Sequence, residues 1–460
     1  MSRLCHNAVI LKMPPNLSKS AMQAHAPVWI LGAGTSGAAA ARLFAAHGIP
    51  FRIFDDHADK AENLAGKIRE EYPCEVPKDT TPAFAVVSPG LPPEAPLRIA
   101  MEEQKIPIVS ELDAALPYLS CDFIGVTGSK GKSSLVKLIA DAFTLGGRRA
   151  VPCGNYGTAL ATVALQTPPV DLAVVECSSF QLETTCHLRP SIGIFLNLSP
   201  DHLARHGGMH GYRDAKLRLF QTQTETDTAL LPSSDTGRSI QARYRELGLR
   251  GRIATFGIEP DADWRWTLGT VQGPQGLCLD IAGSYFNNEI LGPAAAAGAA
   301  AMVLSGLSTD VAAQALRSFV PLPHRMQCVR TLRGVRYIND SKATSLTALL
   351  AGVSMVGGPV RLIAGGRLKE NDLEIGKELV TRGVQKGYLI GECAEKLSAA
   401  WSDALPVELC GTMEIAVAKA SAESREGETI LLSPGTASFD QFTSFEARGD
   451  HFAELVKSLR

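Results

Sequence analysis

The run CDFIGVTGSKGKSSLVKLIADAF, Cys121 to Phe143, leaves little freedom for the fold around it. An apolar stretch, a glycine-spaced polar loop and an apolar-periodic stretch read as strand, turn and helix. Glycine at 128 and 131 lets the loop backbone bring its N–H groups close to an anion, and the helix start adds partial positive charge. Gly131-Lys132-Ser133 has the form of the end of a phosphate-binding loop, with Lys132 placed for β/γ-phosphates and Ser133 for magnesium. Val126 occupies the first glycine position of the strict G-x-x-x-x-G-K-[ST] pattern, and Gly128 supplies the turn. A basic surface loop would not need both glycines. The loop Gly128, Ser129, Lys130, Gly131, Lys132, Ser133, Ser134 therefore reads as a triphosphate site.

The same alternation recurs along the chain. VWILGAGTSGAAAARLFAAHGIPFRIFDD is one βαβ unit, and FAVVSPG (Phe84–Gly90) adds a strand ending in a turn. DLAVVE and SIGIF follow the phosphate loop, and VRYIN, VRLIAGG, GYLIGE and TILLSPG form a third run. Strands that alternate with helices predict an α/β fold with parallel sheets covered on both faces. A length of 460 residues suggests about three domains. Loop composition near Ser110–Leu116 and Pro321–Pro323 divides the chain into a mobile tail (1–26), an N-terminal Rossmann-like domain (27–112), a central P-loop domain (113–321) and a C-terminal Rossmann-like domain (322–460). Lys+Arg 45 against Asp+Glu 47, net −2, argues against nucleic acid or a polybasic membrane anchor as partner. No apolar run reaches the ~18 residues of a membrane span, and AAAAGAAAMVL (Ala294–Leu304) reads as a packed helix. With ten scattered cysteines, no C-x-x-C and no signal peptide, the expectation is a cytoplasmic chain with reduced thiols.

Gly32, Gly34 and Gly37 form a G-x-G-x-x-G between a strand and a helix. Asp55 lies 18 residues further on, near the ~20 expected of an acid that meets a ribose. This reads as a nucleotide or nucleotide-sugar site, with a merely tight turn as the plainer alternative. Glu176 ends the strand DLAVVE, where an acid beside a phosphate loop completes a magnesium shell, unless it only caps the next helix. His202, His206 and His210 are spaced by four, but Gly207-Gly208 interrupts any shared helix, so zinc is the weaker reading. His202 instead suits a second magnesium, with Lys216 nearby. Arg325 and Lys342 are loop cations suited to polyphosphate or carboxylate, and Asp340 is placed after a strand to accept ribose hydroxyls.

Together, GVTGSKGKSS, ECSSFQLE, NLSPDHLARHG, NDSKAT and SPGTASFDQFTSFEARGDHF resemble the Mur ligases of peptidoglycan synthesis, from about residue 27 to the C-terminus. The resemblance is closest to the member that adds D-glutamate to UDP-N-acetylmuramoyl-L-alanine. It implies ATP and Mg2+ as cofactors, an acyl-phosphate intermediate, and a monomer. By this resemblance, Lys132, His202 and Lys216 serve catalysis, with Lys216 carbamylated. Ser133, Glu176, His202 and Lys216 would hold metal. Arg325, Asp340 and Lys342 would complete the ATP site. Gly34, Thr35, Ser36, Gly37, Asp55, Asp56, Ser88, Gly90, Asn155 and His202 would meet the UDP substrate. Thr344, Lys369, Ser438, Phe439 and Phe445 would form the amino-acid pocket.

The chain departs from the family at PAAAA (Pro293–Ala297), where H-N-x-x-N is usual, at GGRLKENDL, which keeps Lys369 and Asp372, and at Ser345. These departures leave adenine selection to other contacts and L-glutamate or another amino acid as an alternative substrate. Folylpolyglutamate synthase and cyanophycin synthetase share the ATPase core, but the N-terminal βαβ block and SPGTASFDQF count against both. A dinucleotide-dependent dehydrogenase leaves the phosphate loop unexplained, and a non-enzymatic ATP-binding regulator has only the missing Asn block in its favour.

Overall fold

The computed structural model describes residues 27–55, 81–368 and 373–460, which fall into two compact units, one ending at Phe319 and one spanning Val320–Arg460. The tail 1–26, Asp56, Lys369 and Asp372 lie outside the described residues.

The first unit carries two sheets. In the smaller, β1 (Val28–Leu31), β2 (Phe51–Phe54), β3 (Ala85–Val87) and β4 (Ile108–Val109) are parallel in the order β2-β1-β3-β4. VWIL is buried at all four positions, as expected of a parallel strand covered on both faces. The helix Thr35–Ala46 buries two faces. Ala40, Ala41 and Phe44 pack on the small sheet, whereas Ala39 and Leu43 join Leu112, Ala115 and Leu160 in the core under the second sheet. The segment around residue 112 is therefore packed on both sides. Its short helix Glu111–Ala115 is capped by Ser110, and buried acids fasten it: Glu111 Oε1 accepts the Ala161 amide at 2.6 Å and Asp113 the Cys186 and His187 amides at 2.6 and 3.0 Å. Burial pushes both carboxyls up to about 7.

The larger sheet contains β5 (Asp122–Thr127), β6 (Ala150–Gly154), β7 (Leu172–Glu176), β8 (Ile192–Phe195), β9 (Thr228–Pro232), β10 (Arg252–Gly257), β11 (Trp264–Thr267), β12 (Thr270–Gln272) and β13 (Cys278–Asp280). Its order is β13-β12-β11-β10-β9-β8-β5-β7-β6, parallel except where β11, β12 and β13 run antiparallel. The β11–β12 and β12–β13 pairings depart from the all-parallel expectation, whereas β11 is parallel to β10. β5 lies between β8 and β7, so the chain leaves it in one direction and later returns on the other side. A crevice opens at such a switch point, beyond the carboxyl ends of the strands. The alanine-rich helix Gly292–Leu304 is buried against the helix Lys132–Leu145 and Trp266, as its composition predicts.

The second unit is one sheet of β14 (Gln327–Leu332), β15 (Val335–Asn339), β16 (Val360–Gly365), β17 (Val384–Ile390), β18 (Val407–Gly411) and β19 (Thr429–Leu432). Its order is β14-β15-β19-β16-β17-β18, with only β14 antiparallel. Because β15, β19 and β16 are neighbours, the loops after residues 339, 432 and 365 emerge side by side.

Candidate active site

The first glycine turn closes tightly. A Cβ on Gly37 would lie 1.9 Å from the Gly32 carbonyl oxygen, so no larger residue fits there. Ser88, at the end of β3, donates its hydroxyl to that carbonyl at 3.2 Å. Asp55, at the end of β2, accepts the Ala33 amide at 2.6 Å, so the predicted acid and the predicted glycine turn do meet. Gly34 and Thr35 are exposed and Ser36 half-buried at the helix start.

The phosphate loop is held by Asn197 and Ser199, to which the sequence assigned no role. Gly131, with φ 80°, precedes the helix Lys132–Leu145. Asn197 Oδ1 accepts the amides of Ser129 and Lys130 at 3.1 and 2.9 Å, and its Nδ2 donates to the Lys130 carbonyl at 2.9 Å. Ser129 Oγ donates to the Ser199 carbonyl at 3.0 Å and accepts the Ser199 amide at 2.9 Å. The signal was present in NLSPDH, whose asparagine follows the β8 strand closely, much as Glu176 ends β7. Lys132 Nζ donates to the Gly128 and Ser129 carbonyls at 2.8 and 3.1 Å, and Lys216 Nζ donates to the same Gly128 carbonyl at 2.7 Å. Burial, and then the neighbouring Lys132 charge, lower the Lys216 amine to about 7. Two ammonium groups on one carbonyl suit an anion between them.

Lys132 and Lys216 line a cleft of about 230 Å³ together with Gly90, Ser129, Asn155, Ser179, His202 and Tyr212. Glu176 is buried next to the lining residue Asn155, with Oε1 accepting Asn155 Nδ2 at 2.7 Å and Oε2 without a hydrogen-bond partner. An orphaned, buried carboxylate oxygen calls for a cation. Magnesium fits, because it takes one or two carboxylates and fills its shell with water and phosphate oxygens. His202 adopts φ 51°, has its ring 4.8 Å from that of Phe180 at a 55° tilt, and is half-exposed. His206 is engaged elsewhere, with Nε2 3.0 Å from Ser179 Oγ, while His210 is exposed. Among the described residues, no three His, Cys, Asp or Glu side chains converge as a metal-binding group.

In the second unit, Arg325 sits between two left-handed residues, His324 (φ 60°) and Met326 (φ 48°). Asp340, expected at a ribose, is buried: Oδ2 accepts Ser433 Oγ at 2.9 Å and Oδ1 the Met326 amide at 3.2 Å. Its carboxyl, pushed up to about 7 by burial, braces the 324–326 turn. Lys342 Nζ lies 4.1 Å over the Phe445 ring, so a residue read for ATP touches one read for the amino acid. Thr344 is half-buried, Ser438 is buried, and Phe439 is exposed. Arg448, unassigned in the sequence reading, is fully buried, and its guanidinium donates to Ser341 Oγ at 3.0 Å and to the Ser341 and Thr436 carbonyls at 2.9 and 3.1 Å. It ties the NDSKAT loop to the SPGTAS loop.

The family model for the Mur ligase middle domain matches residues 126–290. The UDP-N-acetylmuramoylalanine--D-glutamate ligase of Desulfovibrio desulfuricans is 36% identical over 440 residues, covering 94% of this chain and 96% of that protein. The chain belongs to the Mur ligase family. The ligase of the same name from Chlorobium limicola is 35% identical, covering 94% of this chain and 97% of its own. Among solved structures, the MurF ligase of Thermotoga maritima in complex with ADP aligns with a TM-score of 0.59 at 16% identity, over 94% of this chain and 96% of that one, a likeness of fold. The PAAAA stretch lies in the first turns of the buried helix Gly292–Leu304, where Ala295, Ala296 and Ala297 pack into the core.

Proposed function

We propose that this Mur ligase adds D-glutamate to UDP-N-acetylmuramoyl-L-alanine at the expense of ATP, in the cytoplasm and as a monomer. One observation carries the site assignment: Lys132, Lys216 and His202 line a single cleft beside the phosphate loop together with Asn155, which holds the buried Glu176 and its orphaned oxygen. A carboxylate is a poor electrophile, so the substrate's alanyl carboxylate is first phosphorylated by ATP and the acyl phosphate is then attacked by the amine of glutamate. Lys132 neutralises charge on the transferred phosphoryl group, and the Asn197-braced loop keeps that group in place. Glu176, His202, Ser133 and Lys216 as its carbamate would hold magnesium, which would supply charge neutralisation on the phosphates. Asn155 orients Glu176, and His202 faces the muramoyl end of the substrate. The first glycine turn, with Asp55 and Ser88, takes the UDP moiety. Arg325 and Lys342 complete the ATP site, and Thr344, Lys369, Ser438, Phe439 and Phe445 the amino-acid pocket, following the division at 27–112, 113–321 and 322–460. Phosphate release is the test. It should require UDP-N-acetylmuramoyl-L-alanine, ATP and D-glutamate together. Release without the muramoyl substrate, or faster release with L-glutamate, would overturn the reading.

A further inference from the structure

We propose that Ser179, His206 and Glu183 form a proton relay in the wall of the cleft, through which the attacking amine of the amino acid loses its proton. The inference rests on the ligation proposed above. Ser179 lines the cleft beside Asn155, His202 and Lys216. Its Oγ lies 3.0 Å from His206 Nε2, and His206 Nδ1 lies 3.5 Å from Glu183 Oε1. Glu183 is fixed in turn by Arg205, which donates Nη2 to Oε2 at 2.7 Å and Nε to Oε1 at 3.0 Å.

The order of donors follows from chemistry. A carboxylate only accepts, so Nδ1 of His206 carries the ring proton and Nε2 presents its lone pair. Ser179 must then donate its hydroxyl to Nε2, and its oxygen turns only lone pairs toward the cleft. Lys132 offers that cleft a donor suited to phosphate and carboxylate. Ser179 offers an acceptor suited to an N–H group. Burial holds the imidazole below its usual range despite the opposing Glu183, with Arg205 pushing the same way as burial, which favours the neutral ring that the geometry calls for. The rings of Tyr212 and Phe180, 5.3 and 5.7 Å away, exclude water from its faces.

The step balances. The amine nitrogen forms its bond to the acyl carbon, and the bond from that carbon to the phosphate oxygen breaks, with phosphate leaving with the electron pair. One amine proton passes to Ser179 Oγ as the serine proton passes to His206 Nε2. The resulting imidazolium tightens its contact with Glu183 and later returns the proton to water. Ser179 touches the reacting amine, and His206 acts through it.

The test is His206→Gln, whose amide oxygen can still accept the Ser179 hydroxyl but cannot take up a proton. General-base losses are on the order of 10²-fold or more, so kcat should fall by about 10²-fold while KM for ATP and glutamate stays within about threefold. Acyl-phosphate formation, trapped with hydroxylamine in the absence of glutamate, should persist, and the acidic limb of the kcat–pH profile should vanish. In Glu183→Gln the imidazolium loses its counter-charge, so that limb should move to lower pH, which keeps the idea testable if the first variant fails to fold. A kcat within about threefold of the unaltered protein, equal loss of acyl-phosphate trapping, or an unmoved acidic limb in both variants would overturn the relay. Absence of glutamate-dependent phosphate release by the unaltered protein would instead refute the ligation itself, and the relay with it.

Discussion

Removing the side chain of Asn197 should weaken nucleotide binding without touching the UDP substrate. Asn197→Ala deletes the bonds from Ser129 N (3.1 Å) and Lys130 N (2.9 Å) and the bond to the Lys130 carbonyl (2.9 Å). Each such bond contributes about 1 kcal/mol net, giving an upper bound of ~3 kcal/mol. Two facts reduce it. Ser129 N keeps a second acceptor, the Asn197 backbone carbonyl at 3.0 Å, which survives the substitution. The Lys130 groups are exposed, so water replaces part of what they lose. About 1–2 kcal/mol of loop order then remains at stake, which corresponds to roughly 5- to 30-fold weaker binding. Calorimetric titration with ADP reads this directly, and a parallel titration with the UDP substrate serves as the control. ADP affinity within about twofold of the unaltered protein would mean that the glycines alone shape the loop. An equal loss for both ligands would mean that the variant has unfolded the cleft rather than loosened one wall of it.

Lys132→Ala should abolish phosphate release, by about 10²-fold or more, while UDP-substrate binding persists; near-normal turnover would refute the phosphate-loop assignment. Lys216→Met should stabilise the protein most below pH 7. The folded amine titrates near 7 against 10.5 when free, so the cost of burying its charge is full below 7 and is relieved as pH rises between the two values. Urea unfolding at about pH 6 and about pH 9, in buffer purged of carbon dioxide, should show the gain shrinking by up to about 1.4 kcal/mol per unit; a constant gain would contradict the buried ammonium. Gly37→Ala places a Cβ 1.9 Å from the Gly32 carbonyl oxygen, so UDP-substrate affinity should collapse while ADP affinity holds, and unchanged UDP affinity would remove the first glycine turn from the site.

What the amino-acid sequence determined by itself was local. The strand, glycine turn and helix around Lys132, the βαβ unit of Gly32–Gly37, the acid ending β7 and the buried alanine helix all follow from period, glycine spacing and length within some thirty consecutive residues or fewer. The antiparallel strands β11–β13 were not legible, because short half-buried strands carry few apolar positions to count. The grouping of Lys132 with Lys216 on one carbonyl, the grip of Asn197 on the phosphate loop and the pairing of Ser179 with His206 were decided only by tertiary structure. So was the use of Arg448 to join two loops that are far apart in the chain. Each joins residues tens of positions apart, and which of them meet depends on the placing of β5 between β8 and β7, or of β19 between β15 and β16. A contact of that kind leaves no periodic trace in the chain. The lowered Lys216 amine likewise follows from burial and from a neighbouring charge, neither of which exists until the strands have taken their order.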